Sequence, residues 1–168
     1  LPDARPDGPW GLRVAYPASQ SSFKLAQAIG WRSGALAVLA DLKRASPGAM
    51  LGATEPVDPR MSTVARVQHV MQRNLAGALV CTDLASYGGS ARDLVDAHQY
   101  LTASQSDQAR DMPLVAKDLF IDPIQIAQAV SQGADAVVLV AAAAADVLPE
   151  LLDACTLMGI EALVEVSK

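Results

Sequence analysis

Aromatic side chains are scarce in this 168-residue chain, at 4%, and basic residues are outnumbered by acidic ones, leaving a net charge of −5. A deficit of positive charge disfavours generic nucleic-acid binding, and no basic stripe with interleaved aromatics compensates for it. Long hydrophobic runs are missing too. None reaches the ~18–20 residues that span a bilayer, and the longest, Ala134 to Ala145, is broken by Asp135. Cysteine is limited to Cys81 and Cys155, without metal-like spacing. Both read as buried reduced thiols in a soluble, reducing compartment, with no metal or cofactor expected. No methionine precedes Met50, and the chain begins at Leu1. Such a start suits a processed protein or a piece of a longer one, and removal of an organelle-targeting peptide would produce it.

What the chain has in abundance is Ala, Val and Leu. Hydrophobic residues make up 51% and charged residues 18%, which predicts one packed domain rather than disorder. Residues Leu1 to Ser22 stand apart, with Pro2, Pro6, Gly8, Pro9, Gly11 and Pro17. They read as an extended arm, with Trp10 as a docking anchor. The folded domain then occupies residues 23–168.

An alternating rhythm follows. After a short helix near Ser22–Ile29, a buried strand is expected at Ala35–Leu42. Asp58-Pro59 offers a helix N-cap and first position, and Val64, Val67, Val70 and Met71 supply its apolar face. Further strands are expected at Ala78–Thr82, Pro113–Lys117, Asp135–Val140 and Glu161–Val166. Helices between them are expected at Ala91–Thr102, from Asp122-Pro123 to Gln132-Gly133, and at Asp146–Met158. Strands alternating with helices imply a parallel sheet with right-handed crossovers. Five such units make an α/β fold, part of a (β/α)₈ barrel, whose sites lie at the C-terminal strand ends.

Those ends carry the charges. Asp41 and Lys43 are two apart, hence on one face of a strand, and Lys117-Asp118 and Glu165 end two others. Ionised groups seldom enter a sheet interior without a partner or ligand, so convergence on one rim is the expected reason for them.

The run Val38-Leu39-Ala40-Asp41-Leu42-Lys43-Arg44-Ala45-Ser46-Pro47 resembles the first-strand signature of the indole-3-glycerol phosphate synthase family, Glu-apolar-Lys-Lys/Arg-x-Ser-Pro-Ser. Four later segments resemble the family in order. They are Cys81-Thr82-Asp83 with Tyr87-Gly88-Gly89-Ser90, Pro113 to Pro123, Gly133 to Leu139, and Gly159 to Val166. The resemblance implies a lyase that closes the indole ring of a phosphorylated carboxyphenylamino-deoxyribulose. On this likeness Lys117 is the general acid on the substrate carbonyl and Glu165 assists proton transfer in the dehydration. Lys43 holds the substrate's anionic groups, Ser46 supports binding from its loop, and Tyr87 is a platform for the anthranilate ring.

Departures from the family pattern bear on activity. Asp41 stands at the Glu position, one methylene shorter, Gly48 replaces a hydroxyl residue, and Ser167 stands where the family usually has a larger polar side chain. Strands six to eight, with an Asn, a Glu-Ser pair and the glycine-rich phosphate loops, are not in these 168 residues. The expectation is therefore an inactive isolated chain. One alternative is a catalytically dead member serving as a structural subunit of a larger assembly. Another is a residual anion-binding module built on Lys43 and Lys117. Either way, a protein partner over the open sheet edges is expected.

Overall fold

A computed structural model describes residues 23–30, 36–45 and 61–166. Among them are five strands: β1 (Leu39–Leu42), β2 (Gly77–Cys81), β3 (Leu114–Lys117), β4 (Ala136–Val140) and β5 (Glu161–Glu165). They form one sheet in sequence order, every pairing parallel. The helices are α1 (Lys24–Ala28), α2 (Thr63–Gln72), α3 (Leu84–Tyr87), α4 (Ala91–Ala103), α5 (Asp107–Asp111), α6 (Pro123–Ser131) and α7 (Leu148–Met158). This is the expected α/β architecture of a partial barrel.

Side-chain alternation gives the sheet two different faces. Ala78, Val80, Leu114, Ala116, Val137 and Leu139 turn outward into the main core, against Val67, Leu94, Ile126 and Leu151 of the helices. Leu39, Leu79, Val115, Ala136, Val138 and Leu163 turn inward. At the N-terminal end of the inner face α1 lays Leu25 and Ile29 over them. The backbone N–H groups of Leu25 and Ala26 donate to the Glu161 carboxylate at 2.8 and 2.9 Å, and Lys24 pairs with Asp135 at 3.1 Å. A carboxylate at a helix start satisfies donors that the helix itself leaves unpaired.

Several boundaries differ from expectation. β1 starts at Leu39, not Ala35, and Leu36 is 93% exposed. Its register with β2 begins at Leu39 opposite Gly77. Before Gly77 the neighbouring chain is still leaving α2 through Asn74 at φ 51°, and among the described residues before β1 the Val38 carbonyl accepts a further bond, from Ala76 N–H. Asp58-Pro59 lies outside the described residues, as do the Leu1–Ser22 arm, Ser46, Gly48 and Ser167. The helix there begins at Thr63, capped by Ser62, whose hydroxyl accepts from Ala65 N–H. α7 starts at Leu148 rather than Asp146, with Pro149 in its first turn, where a missing N–H goes unnoticed. The Asp122-Pro123 start of α6 is as expected and carries a full capping box with Gln125.

Candidate active site

Alternation along each strand decides which residues share the inner rim. Asp41 follows Leu39 by two residues, Cys81 follows Leu79, Lys117 follows Val115 and Glu165 follows Leu163, so all four have the parity of the inward face, at or near the C-terminal ends of their strands. Lys43 lies one step past the end of β1 with the same parity.

The distances bear this out. Lys43 Nζ is 3.0 Å from Asp41 Oδ2, and Lys117 Nζ is 3.9 Å from the same oxygen. Lys117 Nζ is also 3.9 Å from Glu165 Oε2 and 5.5 Å from the centroid of the Tyr87 ring. The Lys117 ammonium thus stands between two carboxylates and over an aromatic face, beyond hydrogen-bond distance of either carboxylate. Such an ammonium is placed to donate to a third acceptor entering between them. Lys117 is the more enclosed group at 17% side-chain exposure, and Glu165, on the outermost strand, is 53% exposed. The Lys43 ammonium is held above its ordinary pKa by the hydrogen bond to Asp41, with partial burial opposing. Of the site residues expected from sequence, Asp41, Lys43, Lys117, Glu165 and Tyr87 are gathered here, and Ser46 lies outside the described residues.

The supports of this rim were not anticipated. Arg44, next to Lys43 but of opposite parity, turns to the outer face and makes a two-pronged contact with Asp93 of α4 at 2.6 and 2.5 Å. Thr63 and Ser90 hydroxyls also donate to Asp93, at 2.5 and 2.9 Å. Burial works against ionising Asp93. The hydrogen bonds from Arg44, Thr63 and Ser90, with the Arg44 charge, outweigh it and bring the pKa down to about 2. The N–H groups of Arg44 and Ala45 both donate to the Tyr87 carbonyl at 2.9 Å, and Arg66 donates to the Lys43 carbonyl at 3.3 Å. Tyr87 is presented by the single turn of α3. Asp83 caps that turn through Ala85 and Ser86 N–H, and Gly88 ends it at φ 65°. At Gly89 a Cβ would stand 1.9 Å from the Cys81 carbonyl oxygen, so only glycine lets this turn pack on the end of β2. Thr82 donates to Asp118 at 2.5 Å, tying the ends of β2 and β3 beside Lys117. One signal for this network was present. Ser90-x-x-Asp93 has capping-box spacing, with Asp93 in the first turn of α4.

Among the described residues no cluster of three His, Cys, Asp or Glu side chains suits a metal ion, and no helix is long and apolar enough to cross a membrane.

A family model described as indole-3-glycerol phosphate synthase matches residues 8–168. Curated proteins of that name are similar. The one from Hyphomonas neptunium is 34% identical over 133 residues, covering 77% of this chain and 44% of the relative. That from Opitutus terrae is 30% identical, covering 84% and 50%, and that from Exiguobacterium sibiricum 31%, covering 92% and 56%. The chain spans about half the length of these relatives. The ordered segments, the parallel sheet and the match over nearly the whole chain agree, and the chain belongs to the indole-3-glycerol phosphate synthase family.

Proposed function

We propose that this chain carries the general-acid half of an indole-3-glycerol phosphate synthase site. The observation that carries the reading is the approach of Asp41 and Glu165 to the Lys117 ammonium, from three strand ends, with Lys43 paired to Asp41. The substrate is a carboxyphenylamino-deoxyribulose phosphate. The aromatic carbon bearing the carboxylate attacks the ribulose carbonyl carbon while Lys117 delivers a proton to the carbonyl oxygen, which becomes a hydroxyl. Carbon dioxide leaves with its bonding electrons returned to the ring. Loss of that hydroxyl as water, with a proton removed next to nitrogen, then completes the indole. Glu165, on the opposite side of Lys117 from Asp41, assists the dehydration. Lys43 holds the substrate's anionic groups and Tyr87 stacks on its ring.

The described strand ends supply acid, base and cation, and on the family pattern the glycine-rich loops that hold the phosphate belong to later strands. The chain by itself is therefore expected to be inactive, and further βα units, on the same polypeptide or on a partner, to complete the site. A second reading, a structural subunit without turnover, is favoured by one observation. Val164 and Val166 are 41% and 75% exposed on and just beyond β5, an edge strand among the described residues. A protein partner laid along that edge would cover them.

Indole-glycerol phosphate fluorescence separates these readings. Turnover absent from the chain alone, present in the complete protein or assembly and lost in Lys117→Ala supports the proposal. No turnover in the complete assembly favours the structural subunit. Turnover by the chain alone, lost in Lys117→Ala, refutes its dependence on further units.

A further inference from the structure

Cys81 has no role in that chemistry, yet its side chain lies within the cluster. It ends β2, is 1% exposed, and sits opposite Lys117 in the β2–β3 register. Its Sγ is 3.2 Å from Asp41 Oδ1, while Lys43 Nζ is 3.0 Å from Oδ2. The two oxygens of one carboxylate are thus divided between a thiol and an ammonium. We propose that Cys81 is a positioning residue, whose S–H holds Asp41 Oδ1 so that Oδ2 faces Lys43 and Lys117 together.

The physical need is rotational. The terminal torsion of an aspartate is broad and two-fold, so a carboxylate tethered through one oxygen swings about it. A second tether on the other oxygen removes that freedom. A thiol is a weak donor, but here it is dry and faces a charge. It is also fully protonated at neutral pH. Burial first, then the Asp41 charge and hydrogen bond, push its pKa up to about 12, against the pull of Lys117 and Lys43. Cys155, whose thiol burial pushes up to about 11 against a backbone hydrogen bond, meets no carboxylate hydrogen bond among the described residues and serves as an internal reference.

The consequence for turnover rests on the reading proposed above, whereas the hydrogen bond is a property of the chain alone, and the two are measured separately. In the chain, the S–H stretching band of Cys81, identified by its loss in Cys81→Ser, is expected to sit below that of Cys155 and to move on Asp41→Asn, with the Cys155 band unmoved. Lys43, faced by Asp41, Cys81 and Tyr87, is titrated by NMR of its ammonium. Cys81→Val, similar in shape but without a donor, is expected to lower its pKa toward the ordinary value, and Cys81→Ser to preserve it. A Cys81 band indifferent to Asp41→Asn, or a Lys43 titration unchanged by Cys81→Val, overturns the proposal. In the complete, active assembly Cys81→Val is expected to lower kcat about tenfold with KM unchanged, short of the ~10²-fold that a 1 Å misplacement costs, and Cys81→Ser to restore it. An unchanged kcat in Cys81→Val overturns the positioning role. If the wild-type assembly has no turnover, the enzymatic reading fails, and the S–H band and the Lys43 titration still decide the inference.

Discussion

Lys43 and Arg44 are neighbours in sequence and each meets an aspartate, but the two pairs have opposite characters. Arg44 leaves the outer face of β1 and closes on Asp93, which receives four short hydrogen bonds from three different residues and is almost dry. Lys43 leaves the inner face and meets Asp41, which is a third exposed and shared with Lys117 at a looser 3.9 Å. The first carboxylate is saturated by permanent donors. The second is surrounded by groups still able to turn toward something else. One residue of parity separates a structural clamp from a site, and the clamp holds the site: Arg44 locks the end of β1 while its N–H binds the carbonyl of Tyr87.

The largest effects are therefore expected on the Asp93 side. Asp93→Ala removes the counter-charge of the Arg44 guanidinium, which keeps only the Gly88 carbonyl and the Thr63 oxygen as acceptors, and the acceptor of the buried Thr63 hydroxyl, at a cost of about 2–3 kcal/mol; the partial exposure of Arg44 keeps it below that of a fully buried pair. Urea unfolding measures it, and a loss under about 1 kcal/mol would dissolve the contrast. The next effect is acid sensitivity. Asp93 has its folded pKa lowered from 3.8 to about 2, so its stabilisation is complete above pH 3.8 and is lost as pH falls through that value toward 2. The size is on the order of 2 kcal/mol. Wild type is expected to lose stability steeply between pH 4 and 2. Asp93→Asn should start lower and lack that component.

How much of this was readable beforehand follows the range of each interaction. Asp122-Pro123 announced α6 because a capping box is complete within four residues, and Pro113 to Lys117 announced β3 because all of it is buried except its charged end. Asp41, Lys43, Lys117 and Glu165 were visible as charges interrupting apolar strands. The start of β1 was not, since apolar residues at 35–38 look like strand whether or not a neighbour is there to pair. The short α3 and α5 escaped because one turn has no periodicity to detect, and α5 buries only Ala109. Cys81 with Asp41, and Arg44 with Asp93, are separated by 40 and 49 residues. Nothing local marks such partners, and they emerge only when the register of β1 on β2 and the seat of α4 are known.

The smallest effect sharpens the comparison most. Lys43→Met is expected to change stability by only about 0.2–1 kcal/mol, because an ion pair with both side chains about a third exposed is screened by water and salt. Asp41 would keep Cys81 and Lys117 as neighbours, so no charge is stranded. Arg44→Met, one residue on, takes the counter-charge and two of four hydrogen bonds from the nearly dry Asp93 carboxylate, leaving it Thr63 and Ser90, and should cost about 2–3 kcal/mol. The residual Lys43 contribution has its own signature at the opposite end of the pH scale. Its folded pKa is raised above the ordinary 10.5, so the stabilisation is present throughout the neutral range and is lost only as pH climbs past 10.5 and through the folded value. Urea midpoints of wild type and Lys43→Met should then differ slightly at pH 7 and converge in strong alkali, while Arg44→Met stays well below both at every pH up to that point. Equal losses for the two substitutions at pH 7 would mean that both pairs are structural, and that the inner rim is no freer to meet a ligand than the clamp behind it.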